Sequence, residues 1–181
     1  MQVQSLYFIL SKPIKVFDVF SNVMHDLSTQ MMSQVIENES KEDFDVIAAA
    51  QQTEETELQV AALTSVVDAC GWLIKVHQSS AWPALQSILP TLQLMVQDKM
   101  LSTIRAQALC TIIDMIEHCP CTDDHLNQFV HLLLSGVSDR SSEVLQTSAF
   151  GLGICAQYAG AVFDHYAAEA LARLIALVAR S

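Results

Sequence analysis

Turn-forming residues are scarce in this chain, with 5 Gly and 4 Pro among 181 residues. Turn-dense β architectures are disfavoured by that scarcity, and the abundance of Leu, Ala, Met and Gln suits helices instead. Cationic side chains are also few: 9 Lys and Arg stand against 20 Asp and Glu, a formal charge of −11. A sequence-independent grip on nucleic acid needs clustered Lys and Arg, so nucleic acid is set aside as a partner, and basic proteins are what such a field would steer. The 5 cysteines are odd in number and spread among apolar neighbours, which points to reduced thiols rather than a disulfide scaffold. The early apolar run from Leu6 to Leu10 is too short for a signal peptide and lacks a basic lead-in. No uncharged apolar stretch approaches the roughly 18 residues of a membrane span. A soluble, intracellular, all-α protein is expected, and 51% apolar residues are enough for a sizeable core.

What is present reads as helix after helix. Val3, Leu6, Tyr7 and Leu10 mark a first stripe with no capping residue ahead of it, as though the chain were cut from a longer one, and Pro13 breaks that stripe. A long amphipathic helix follows, with Phe17, Phe20, Met24, Leu27, Met31 and Val35 at spacings of three and four. Over residues 37–57 the character changes: Glu37, Glu39, Glu42, Asp43, Asp45, Glu54, Glu55 and Glu57 face the single Lys41. This acidic segment reads as a charged extension or loop, its middle, around Ala48 to Ala50, compatible with helix. Three helix pairs are predicted beyond it: 58–76 with 82–96, 101–118 with 123–134, and 142–158 with 164–179. Ser79 or Ser80 is the expected cap before Trp82, Pro83 fits the first turn, and Pro90 should kink or restart that helix. Thr122 or Asp123 should cap the helix after Pro120, and Gly160 should stop the one before it.

The pairs repeat. Ala62-Leu63 with Val66-Val67-Asp68 superposes on Ala108-Leu109 with Ile112-Ile113-Asp114, and then on Ala149-Phe150 with Gly153-Ile154-Cys155, at intervals of 46 and 41 residues. Two-helix units of about 40 to 47 residues are the mark of HEAT and armadillo arrays, because a lone pair leaves one apolar face uncovered until a neighbour stacks on it. The expected fold is a HEAT-repeat α-solenoid of about three and a half helix pairs: a partial repeat over 1–36, the acidic segment 37–57, and repeats over 58–96, 101–135 and 142–180.

In the last repeat Ser138-Asp139 leads through Ser142-Glu143-Val144 into Ala149-Phe150-Gly151-Leu152-Gly153 and on to Ala156-Gln157-Tyr158-Ala159-Gly160. This stretch, with Ile112-Ile113-Asp114-Met115-Ile116-Glu117-His118-Cys119 before it, resembles the importin-β (karyopherin-β) nuclear transport receptors, in particular the branch that imports ribosomal proteins and histones. The resemblance covers roughly residues 14–180. It departs at Ser142 and Leu145, where HEAT repeats commonly carry Pro and Arg, while Arg105 keeps the pattern one repeat earlier. The resemblance implies a fragment of a much longer, non-enzymatic, monomeric receptor of cytoplasm and nucleus. Its implied partners are basic cargo proteins, the Ran GTPase and the phenylalanine-glycine nucleoporins, with no cofactor and no membrane.

Candidate contacts to such partners are Glu42, Asp43, Asp45, Glu54, Glu55, Glu57, Trp82, Asp123 and Asp124. Packing is the default role of both Trp72 and Trp82. His118, Cys119, Cys121, His125 and His131 carry zinc-type donors, but Cys-x-Cys is tighter than the usual ligand spacing. Gly151-x-Gly153 lacks the third glycine of a nucleotide loop and sits in a helix, where it suits close helix packing. No catalytic set was found.

Overall fold

The computed structural model describes residues 13–39 and 46–179, and the elements within them are helices, with no strand among the described residues. They are α1 (Pro13–Glu39), α2 (Val46–His77), a 3-10 turn (Gln78–Ala81), α3 (Trp82–Leu85), α4 (Leu89–Met95), α5 (Ser102–His118), α6 (Asp123–Gly136), α7 (Ser142–Tyr158), α8 (Ala161–Asp164) and α9 (Ala167–Val178).

Punctuation in the sequence explains most of these boundaries. Pro13 opens α1, and Pro90 restarts the chain as α4 after the break that ends α3, as its missing N–H and fixed φ demand. Thr122 caps α6 by accepting from the His125 N–H, and Gly160, at φ 53°, ends the turn after α7 in a conformation that favours glycine. One expected cap is absent: Ser80 donates back to the His77 carbonyl, and Ala81 precedes α3 without a side-chain bond. Beyond residue 45 the acidic segment takes the helical alternative. Residues 46–57 continue α2 as regular helix, because Ala, Gln and Glu all propagate helix well; residues 1–12 and 40–45, including the predicted first stripe, lie outside the described residues.

Two layers result. Helices α2, α5 and α7 pack side by side in chain order, and α1, the α3–α4 pair, α6 and the α8–α9 pair lie against them as a second row. Between rows sits a continuous core that includes Phe17, Met24, Leu63, Ile74, Leu92, Ile104, Ile112 and Phe129. By length and composition alone the stretch Glu55–Leu85, of mean hydropathy 1.3, could cross a membrane, contrary to the sequence expectation; in the fold α2 is flanked by α1 and α5.

Burial sets the true phase of the repeat. Leu63, Val67, Cys70, Gly71 and Ile74 of α2 are buried, as are Ile104, Ala108, Thr111, Ile112 and Met115 of α5 and Val144, Ser148, Gly151, Leu152 and Cys155 of α7. The three sets share one spacing and recur at intervals of 41 and 40 residues. The superposition that aligned Phe150 with Leu63 and Leu109 was therefore out of phase, since both leucines are buried while Phe150 is 65% exposed. Gly151 admits the neighbouring helices: a Cβ there would stand 2.6 Å from Leu133 Cδ2 and 2.8 Å from Ile113 Cδ1, whereas one at Gly153 would meet nothing within 4 Å.

Candidate functional site

Among the described residues, the candidates singled out by sequence fall at separate places. Glu42, Asp43 and Asp45 lie outside the described residues, and Glu54 falls within α2. Glu57 is exposed on α2, and Glu55 opens onto a polar cleft between α1 and α2 with His25, Asp26, Thr29 and Gln59. Asp123 and Asp124 are exposed in the first turn of α6, where carboxylates favour the positive end of the helix dipole. Trp82 is half-buried, edge-on to the His125 ring at 5.0 Å, and packed against the core.

The zinc-type donors point elsewhere. Cys119 donates to the Gln78 carbonyl and Cys121 to the Met115 carbonyl, while His125 Nδ1 meets the Thr122 hydroxyl at 2.6 Å and His131 faces the Tyr166 hydroxyl. Among the described residues no three His, Cys, Asp or Glu side chains form a metal-holding group. Burial raises the Cys121 thiol to about 12 and the Cys119 thiol to about 11, with the nearby Asp114 charge adding to the latter, so neither is a ready thiolate.

A different place gathers chemistry. Between α2 and α5 runs a groove of about 320 Å³ bordered by Asp68, Gly71, Trp72 and Lys75 on one side and by Gln107, Cys110 and Asp114 on the other, with Phe150 of α7 at its rim. Trp72 and Phe150 are each 65% exposed, a costly placement for large apolar rings. The Lys75 ammonium lies 5.8 Å from the centre of the Trp72 ring and 3.1 Å from Asp114 Oδ1. Gln107 donates to Asp68 across the same helix pair at 3.3 Å. Gly71 lets the Asp114 carboxylate lie close against α2, since a Cβ there would come within 2.8 Å of Asp114 Oδ2. The Asp114 carboxyl is raised above its ordinary value, foremost by burial, with Lys75 pulling the other way.

Sequence reading missed this groove. Packing is the default role of Trp72 on an apolar helix, whereas α2 buries Leu63, Val67, Cys70, Gly71 and Ile74 and leaves the Trp72 ring 65% exposed. The arrangement offers aromatic faces, carboxylates and one cation, but no nucleophile-and-base pair; Cys110, beside it, has its thiol raised by burial and then by Asp114. No family model matches the chain.

Proposed function

We propose that the chain is a HEAT-type scaffold and part of a karyopherin-β nuclear transport receptor, a non-enzymatic carrier of basic cargo proteins in a Ran-regulated cycle between cytoplasm and nucleus. The observation that carries the scaffold reading is the single buried spacing shared by α2, α5 and α7, with a second helical row against it. Each helix pair covers the open face of the one before, which is how a solenoid builds its core from units that could not fold alone. A two-layer stack of this kind presents extended surface, and such surface suits a large, mostly polar protein interface rather than a reaction centre.

Support for basic partners comes from the charge of −11 and from the exposed carboxylates at Glu55, Glu57, Asp123 and Asp124. The transport assignment itself rests on the resemblance carried by residues 138–160, and with it come Ran and the phenylalanine-glycine nucleoporins as partners of the longer receptor. Its test is a pull-down with the full-length parent: Ran loaded with GTP should bind and displace basic cargo, and Ran loaded with GDP should not. Absence of Ran binding by a folded parent would sink the transport reading and leave the wider class of HEAT scaffolds, such as phosphatase regulatory subunits and assembly adaptors.

A further inference from the structure

We propose that the groove between α2 and α5 receives the guanidinium of an arginine presented by a basic partner protein, with Trp72 and Phe150 as its walls and Asp114 and Asp68 as its acceptors. The groove already contains an internal stand-in. Lys75 reaches across from α2 to place its ammonium near the Trp72 face and against the Asp114 carboxylate, the two interactions an incoming cationic side chain would make there.

Charge and shape favour an added cation. Two carboxylates line the groove against one ammonium, and that ammonium, on the 47% exposed Lys75 side chain, offsets the burial of the Asp114 carboxyl only in part. A planar guanidinium matches this site better than a second ammonium, since it can lie flat on an aromatic face while its edge donates to a carboxylate at two points. It would also cover the exposed aromatic surface, which an ion held only by charge would not.

The inference shares with the transport reading only the expectation of a basic partner, so loss of Ran binding would leave it standing. Its test uses the purified chain in a Trp82→Phe background, so that fluorescence reports Trp72, titrated with a short peptide alternating Arg and Gly and with the matching Lys peptide. The Arg peptide is expected to perturb Trp72 and to bind at least about fivefold tighter than the Lys peptide. Lys75→Ala, which removes the stand-in, should tighten Arg-peptide binding by about two- to fivefold. Asp114→Asn should weaken it by roughly tenfold, as should Phe150→Ala, whose exposed ring contributes little to folding. Weaker binding after Lys75→Ala, equal binding of the Arg and Lys peptides, or a phenylalanine-glycine peptide occupying the groove in preference to arginine would each overturn the proposal.

Discussion

Arg105 on α5 and Asp139 in the turn before α7 form a two-point ion pair, with Nη2 donating to Oδ1 at 2.7 Å and to Oδ2 at 3.0 Å. Both side chains are nearly buried, at 11% and 10% exposure. Nη1 of the same guanidinium donates to the Met100 carbonyl, and Asp139 Oδ1 accepts from the Ser141 N–H at 2.8 Å. One arginine thus ties the turn before its own helix to the turn before the next. The register explains why the tie is single: the positions matching Arg105 in the other two units are Thr64 and Leu145, neither of which can donate such a fork.

Removing either partner strands the other charge in a mostly dry site. Arg105→Ala and Asp139→Ala are each expected to lower stability by about 3 kcal/mol. The double substitution should cost less than the sum of the singles, because the pair is lost only once. Urea unfolding of the four proteins measures this, and additive losses would show that the two groups do not act together.

Close packing of α7 against α5 and α6 depends on two hydrogen atoms. Gly151→Ala would drive a methyl into Leu133 and Ile113, and Gly136→Ala would drive one into the buried Ser148 side chain. Each should cost about 1–3 kcal/mol by overpacking. Gly153→Ala enters open space on the exposed face of α7 and should instead stabilise by about 0.5–1 kcal/mol through helix propensity. Melting temperatures of the three variants give the comparison. A loss at position 153 comparable to that at 151 would contradict the packing described.

That contrast also marks where sequence reasoning stops. Pro90, Thr122 and Gly160 act through their own backbone chemistry, so the breaks they impose were legible in advance. Helical character was legible too, from the spacing of apolar residues along α1 and α7. The phase between units was not. Ala149-Phe150 looks locally like Ala108-Leu109, and only contact with a neighbouring helix decides that Leu109 turns inward while Phe150 turns out. For the same reason Trp72 and Trp82 could not be told apart: each is a large ring on an apolar helix, and one faces the groove while the other packs on His125. Acidic side chains leave the choice open in another way, since charge is as compatible with an exposed helix as with a loop, and residues 46–57 are helix.

Burial of neutral thiols gives the fold an alkaline limit. Cys70, Cys121 and Cys155 are pushed up to about 12 and Cys119 to about 11, from an ordinary value of 9.0, in each case mainly by desolvation. Because the folded value lies above the unfolded one, this contribution is complete below 9.0 and is lost as pH rises towards the folded values. Thermal stability should therefore fall through that window, and less steeply after Cys155→Ala. In the native state Cys110, the exposed thiol, should alkylate ahead of the buried Cys70 and Cys155, as mass spectrometry at about pH 8 would show. Equal labelling of Cys155 and Cys110 would place Cys155 outside the core.

Asp114 gives the sharpest division between folding and recognition. Its carboxyl is raised above the ordinary 3.8, foremost by burial, so the folded state holds the neutral form better than the unfolded state does. Its contribution is most favourable below 3.8 and is lost as the group ionises through its raised folded value. At neutral pH the carboxylate is therefore a net cost to folding despite the Lys75 ammonium at 3.1 Å, and that ammonium is exposed enough to be rehydrated if its partner is removed. Asp114→Asn should leave stability unchanged or raise it at about pH 7, with the difference from the parent shrinking as the parent's own carboxyl is protonated. Urea unfolding at neutral and acid pH tests the sign. A clear loss of stability at neutral pH would mean that the Lys75 pair outweighs burial, and the groove would then have no uncompensated charge to offer a partner's arginine.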